Sequence, residues 1–106
     1  MIGYTVHNHT IHVKDNRINV FHLFVIQCER REELMVYLNG HGVQCGIHCP
    51  VPVHLYRACN SLKFSANSIP VTEMFADKIL SLPMFPEITD GQIDVVVNAI
   101  KRFYGE

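Results

Sequence analysis

The apolar positions of residues 20–28 fall on both faces of an extended chain. This segment is rich in β-branched and aromatic residues, which favour strands. The two alternating apolar sets are Phe21, Leu23 and Val25 on one side and Phe24, Ile26 and Cys28 on the other. A strand with two apolar faces is expected at the centre of a sheet, covered on both sides. Upstream, residues 10–13 and 17–20 flank a polar turn and indicate a β-hairpin.

Three later segments have the apolar spacing of amphipathic helices. Residues 30–39 place Leu34, Tyr37 and Leu38 on one face, and Gly40 or Gly42 can end this helix in the left-handed conformation. A second helix is expected to begin near Pro70, with apolar positions at Val71, Met74, Phe75, Ile79 and Leu82. A third follows a capping box of Thr89 and Gln92, and its apolar stripe comprises Ile93, Val96, Val97, Ile100 and Tyr104.

The segments between these helices complete a small sheet. Residues 43–47 alternate between apolar and polar positions and predict a second strand. Pro50 and Pro52 then forbid regular pairing, so a stiff extended loop should run through His54. Residues 81–86 are too rich in proline for a helix and favour a short edge strand. The pattern therefore predicts an α+β fold, with a sheet of three or four strands and about three helices packed mainly on one face.

Composition narrows the class of protein. The chain has 106 residues, of which 48% are hydrophobic and 18% charged, as expected for a single globular domain spanning residues 1–106. A formal net charge of -1 gives no electrostatic case for binding nucleic acid or an anionic membrane. The longest apolar run is about a third of the ~20 residues that a membrane helix needs. Because the N-terminus does not resemble a secretory signal, we expect a cytoplasmic protein with four reduced cysteines.

Histidine and cysteine offer two further kinds of chemistry. Cys45, His48 and Cys49, with His41 and His54 nearby, could hold zinc, and His7, His9 and His12 form a second cluster. Strand alternation sends Cys45 and His48 to opposite faces, so we interpret the histidines as loop and surface residues. A catalytic pair of Cys49 or Cys45 with His48 or His54 is the other alternative, but the sequence identifies no third group to orient the base.

Residues 46–55 carry a family resemblance. They read Gly-Ile-His-Cys-Pro-Val-Pro-Val-His-Leu and resemble a loop of the DegT/StrS-type sugar aminotransferases, in which the pattern Gly-Ile-His-Tyr-Pro-x-Pro-x-His-Leu recurs. Residues 22–26, 31–38 and 79–86, the last followed by the helix after Thr89, match further family motifs in the same order. The resemblance covers residues 20–104, leaves residues 1–19 unaligned, and implies the C-terminal small domain of a fold-type I aminotransferase.

This resemblance also implies what the chain lacks. The family transfers an amino group to keto-sugar nucleotides with pyridoxal phosphate, and the preceding large domain supplies the Schiff-base lysine and the phosphate site. None of the four lysines, Lys14, Lys63, Lys78 and Lys101, stands at the family position of that lysine. We therefore expect no bound cofactor and no catalysis by this chain alone.

The resemblance also implies a set of substrate-binding candidates, because in the family the loop lies beside the substrate entrance. These substrate-loop candidates are His48, Cys49, Pro50, His54, Tyr56 and Arg57. Cys49 replaces the family's tyrosine, and Tyr56-Arg57 replaces a Gln-Pro pair.

A small domain without its large domain keeps an apolar surface that needs cover. We therefore expect a homo-oligomer, or a protein partner that covers the exposed sheet and loop. Three hypotheses about function follow: a non-catalytic interaction or regulatory module, a piece that completes a sugar aminotransferase in trans, and a degenerate remnant with a stable fold. A zinc-binding or small-ligand-binding protein is the further alternative.

Overall fold

The elements of the chain alternate between helices and short strands around one buried layer. The computed structural model describes residues 15–18, 20 and 22–105. In chain order the elements are β1 (Phe24–Gln27), α1 (Arg31–Gly40), two 3-10 turns (Val53–Leu55 and Arg57–Leu62), α2 (Pro70–Ala76), β2 (Ile79–Leu82) and α3 (Asp90–Tyr104). None of the helices in the described part of the chain combines the length and apolarity needed to cross a lipid bilayer.

Within the described residues, the sheet has fewer strands than the sequence predicts. Strands β1 and β2 pair antiparallel, with Phe24 opposite Leu82, and Gly46 adds a single bridge to Ser81 on the other side of β2. The described residues thus contain two strands and one bridge instead of three or four strands, and β2 is internal where an edge strand was expected. Towards residue 43 the predicted strand cannot extend this bridge, because the next hydrogen-bonded pair, Gln44 with Pro83, would need an amide hydrogen that proline lacks.

The core lies on one face of this sheet. Phe24 and Ile26 of β1 share a buried cluster with Leu80 and Leu82 of β2, with Leu34 and Leu38 of α1, and with Ile93, Val96 and Ile100 of α3. The alternation predicted for β1 is confirmed on this side. The other side, with Leu23 and Val25, is only half-buried, so the strand is not covered equally on both faces. Phe21 and most of the predicted hairpin lie outside the described residues.

Two of the three predicted helices keep their expected ends. Helix α1 ends before Gly42, which has a φ of 77° in the left-handed region that glycine tolerates best. The capping box of α3 forms as expected: the Gln92 amide donates to Thr89 Oγ1 (3.2 Å), and the Thr89 amide donates to Gln92 Oε1 (2.9 Å). Because these bonds satisfy amides at the start of the helix, α3 begins at a defined residue.

Helix α2 is shorter than predicted and leaves its apolar side chains outside the core. It ends at Ala76, and Ile79 and Leu82 belong to β2. The change of structure occurs where the Lys78 carbonyl accepts the amide of Cys28 (2.8 Å), which starts the pairing with β1. Val71 remains 61% exposed, Met74 47% and Phe75 36%. The helical spacing of these apolar residues therefore predicts the helix but does not predict that they are buried in the core.

Two leucine-to-alanine variants, one in the core and one at the surface, test this separation of core and exposed apolar residues. Leu80 is fully buried, whereas Leu62 is 62% exposed in the second 3-10 turn. Leu80→Ala should lower the free energy of unfolding by about 2–5 kcal/mol because it leaves a cavity. Leu62→Ala, the matched control, should change it by about 0.5 kcal/mol or less. Urea denaturation of both variants measures the difference, and equal losses would contradict the placement of the core.

Candidate functional site

Hydrogen bonds from two histidines hold the loop of residues 46–57 to the rest of the protein. His48 Nδ1 lies 2.8 Å from Oγ of the buried Ser81 on β2. His54 donates from Nε2 to Glu73 Oε1 of α2 at 2.6 Å, and its side chain is only 5% exposed. Between them, Cys49 has a φ of 55°, so the backbone turns through a left-handed residue before the two prolines. The loop is therefore held at one end to the sheet and at the other to α2.

Glu73 is the residue of this site that the sequence analysis did not identify. Its second carboxylate oxygen accepts the amide of Asn67 at 2.7 Å, so one side chain serves two loop segments. The hydrogen bond from His54 lowers the pKa of Glu73, and the amide of Asn67 acts in the same direction. In the sequence, Glu73 is only an acidic residue in the first turn of a helix that begins with proline. This feature is common, so it does not indicate that the side chain bonds to a residue 19 positions away.

The substrate-loop candidates differ in exposure. His48, Cys49, Pro50, Tyr56 and Arg57 are exposed, and only His54 is buried. Since His54 directs Nε2 at Glu73, this nitrogen is occupied within the protein. The other five face solvent along one continuous loop, and the structure leaves them accessible to a ligand or a protein.

The sulfur and imidazole groups do not converge on one point. Cys45 Sγ lies 3.8 Å from Asn39 Oδ1, beside α1, while the His48 ring bonds to Ser81 on β2. Within the described residues, no three histidine, cysteine or acidic side chains lie close enough to hold a metal ion. The second cluster, His7, His9 and His12, lies outside those residues. Burial raises the pKa of Cys45, which disfavours the thiolate that a nucleophile requires.

Exposed apolar side chains concentrate in residues 53–75. We call the following set the apolar face: Val53, Leu55, Tyr56, Leu62, Phe64, Ile69, Val71, Met74 and Phe75. Its parts are linked around His54, whose ring meets Phe64 edge-on at 6.3 Å and bonds to Glu73 of α2. More than half of the exposed large apolar residues in the described chain belong to this set.

Arg31 fixes the other end of α2. This arginine is buried, and its Nη1 donates to the carbonyl of Ala76 at the end of α2. Its Nε and Nη2 both bond to Glu32 Oε1, at 3.1 and 2.7 Å, so the charge is balanced beside it. Nearby, Lys78 Nζ bonds to Glu29 Oε1 at 2.8 Å. Polar contacts thus join α2 to the start of α1.

One groove among the described residues lacks the groups that pyridoxal phosphate needs. A groove of about 330 Å³ is lined by Gly42, Val43, Gln44, Pro83, Phe85, Ile88, Gln92, Val95 and Val96. It offers no amine and no cation for a phosphate. Lys78 is paired with Glu29, and Lys63 and Lys101 are exposed at the surface. Lys14 lies outside the described residues.

Comparison with known proteins identifies a family. Residues 4–101 match the DegT/DnrJ/EryC1/StrS aminotransferase family, and the match extends into the segment that the sequence motifs left unaligned. A Geobacillus stearothermophilus relative named pleiotropic regulatory protein is 38% identical over 90 residues, which are 85% of this chain and 24% of the relative. A Streptomyces venezuelae relative, dTDP-3-amino-3,4,6-trideoxy-alpha-D-glucose transaminase, is 38% identical over 79% of this chain and 22% of its own length.

A solved structure has the same fold over the matched part. The crystal structure of S. venezuelae DesV in complex with a ketimine intermediate superposes with a TM-score of 0.76 at 37% identity. The match covers 82% of this chain and 24% of that one. The chain therefore spans about a quarter of the length of these two curated relatives and of that solved structure.

The four cysteines should differ in reactivity. Cys49 is exposed, whereas burial raises the pKa of the Cys28 thiol to about 11. At neutral pH, iodoacetamide should label Cys49 first and leave Cys28 unlabelled in the folded chain, as peptide mass spectrometry would show. Labelling of all four in guanidinium is the control. Equal rates for Cys28 and Cys49 in the folded chain would contradict the structure.

The contact between His54 and Glu73 should depend on pH. Because the folded pKa of Glu73 is lowered, its stabilising contribution is fully present above the usual value of 4.5 and is lost as the pH falls through the folded value. Wild type should therefore be more stable than Glu73→Gln above this value, and the difference should shrink in more acidic solution. Urea unfolding across this range measures it, with Glu87→Gln as the control. A difference that does not change with pH would be evidence against the contact.

Proposed function

The chain belongs to the DegT/DnrJ/EryC1/StrS aminotransferase family, and from that premise we propose that it acts as a non-catalytic docking unit of a pyridoxal-phosphate-dependent sugar aminotransferase. The apolar face packs against the cofactor-bearing part of such an enzyme. A nucleotide-linked sugar is the proposed class of substrate, in keeping with the name of the S. venezuelae relative.

The observation that carries this proposal is the uncovered apolar face. Nine large apolar side chains of residues 53–75 are exposed, and groups of exposed apolar side chains commonly mark interfaces. Here the core is complete without the apolar face, because β1, β2, α1 and α3 already bury one another. About three quarters of each relative's length lies outside the matched segment, so protein that could cover the apolar face exists in the family.

The loop of residues 46–57 would then lie at the edge of the docked surface. Its C-terminal end enters the apolar face at Val53, while His48, Cys49 and Arg57 remain exposed. These side chains supply an imidazole, a thiol and a guanidinium near the junction of the two parts. In this arrangement they contact a sugar nucleotide from one side, and the cofactor supplies the amino-group chemistry from the other part.

A second copy of this chain is the other candidate partner. The same apolar face could form a symmetric dimer, in which each copy presents the same residues to the other. The two candidates predict different complexes: a dimer forms from the pure chain, whereas docking to the catalytic part needs a second protein.

A charge placed on the apolar face separates these possibilities. The partner used is the S. venezuelae transaminase from which the matched segment has been deleted, co-expressed with this chain. A one-to-one complex is expected by size-exclusion chromatography with light scattering. Met74→Asp should abolish it because a carboxylate would be buried among apolar groups. Val36→Asp, an equally drastic change at a 70% exposed position on α1, should leave it intact.

Two results would contradict the proposal. If the pure chain forms a dimer that Met74→Asp dissociates, the partner is a second copy and not the catalytic part. If the chain stays monomeric and binds nothing, the apolar face is not a docking surface.

A further inference from the structure

The carboxylate of Glu73 joins separate parts of the apolar face. Oε1 accepts from His54 in the first 3-10 turn at 2.6 Å, and Oε2 accepts from the Asn67 amide at 2.7 Å. The His54 ring in turn meets the Phe64 ring edge-on, with an interplanar angle of 77°. One side chain on α2 therefore reaches both the first 3-10 turn and the loop that carries Phe64.

Other hydrogen bonds of this region are local. Among the described residues, the remaining hydrogen bonds of residues 56–69 join positions no more than four apart, such as Cys59 to Tyr56 and Ser68 to Ser65. They shape single turns and do not attach the segment to α2. The long-range polar attachment is thus concentrated at Glu73.

The low exposure of both side chains makes the bond between His54 and Glu73 costly to lose. The side chains of His54 and Glu73 are 5% and 17% exposed, so water cannot easily replace either partner. A buried polar group that loses its partner remains unsatisfied, which is more costly than the loss of a solvent-exposed bond. The structure of residues 53–69 should therefore respond strongly to the loss of the Glu73 acceptor oxygens.

We propose that Glu73 is the positioning residue of the apolar face, holding the first 3-10 turn and the loop of Phe64 against α2 before a partner binds. This inference rests on the docking function proposed above and names the residue that prepares the surface for it. A surface ordered in advance loses less conformational freedom on binding, and its complex is accordingly tighter. Glu73 acts through His54 and the Asn67 amide and need not touch the partner.

Three variants of the full chain test the inference by hydrogen exchange. Glu73→Leu removes both acceptor oxygens, Glu73→Gln retains one acceptor, and Glu87→Gln changes an exposed carboxylate elsewhere. We expect Glu73→Leu to accelerate exchange about tenfold in residues 53–69 while exchange in β1, α1 and α3 is unchanged. Glu73→Gln, which keeps one of the two acceptors, should give an intermediate exchange rate, and Glu87→Gln should match the wild type. Binding to the shortened transaminase should weaken about tenfold in Glu73→Leu only.

The outcomes distinguish this inference from the proposed function. Unchanged exchange in Glu73→Leu would overturn it, as would acceleration throughout the chain, which would indicate general destabilisation. Glu73→Gln behaving like Glu73→Leu would also overturn positioning by hydrogen bonds. If exchange changes as expected but neither wild type nor any variant binds the shortened transaminase, the docking function fails while the local role of Glu73 stands.

Discussion

The apolar side chains of residues 53–75 face solvent because the core is completed without them. Leu34 and Leu38 of α1 and the buried stripe of α3 cover the apolar side of the two strands. Helix α2 has no place in that layer and buries only Ala76. The chain thus combines a self-contained apolar core with a second apolar surface that its own described residues leave open, and both the proposed function and the role of Glu73 depend on this division.

Polar contacts hold the second surface in place. Arg31 holds the end of α2 to α1, Glu73 holds the first 3-10 turn to the beginning of α2, and His48 holds the loop to Ser81. Such bonds are directional and fix geometry, while burial of apolar area supplies most of the stabilisation of the core. A segment attached in this way can be well shaped and still open locally without loss of the core.

The sequence was informative where local signals and burial agree. Thr89 and Gln92 predict the start of α3 because a capping box acts within one turn, and Phe24 and Ile26 predict the buried side of β1 through simple alternation. The prediction failed at Ile79 and Leu82, whose spacing continues a helical period although their backbone is extended in β2. Pairing with β1, some 55 positions earlier in the chain, decides that region, and periodicity carries no information about it. Glu73 was missed for the same reason, since its partners are distant in sequence.

The central claim is that the apolar face, and not the core, is the surface covered by the catalytic part of an aminotransferase. Hydroxyl-radical footprinting of the methionines tests it most directly, because Met74 lies on the apolar face while Met35 and Met84 pack against the core. The account predicts rapid oxidation of Met74 in the free chain and strong protection once the shortened S. venezuelae transaminase is added, with Met35 and Met84 oxidised slowly in both states. A Met74 that is oxidised at the same rate with and without that partner would contradict it.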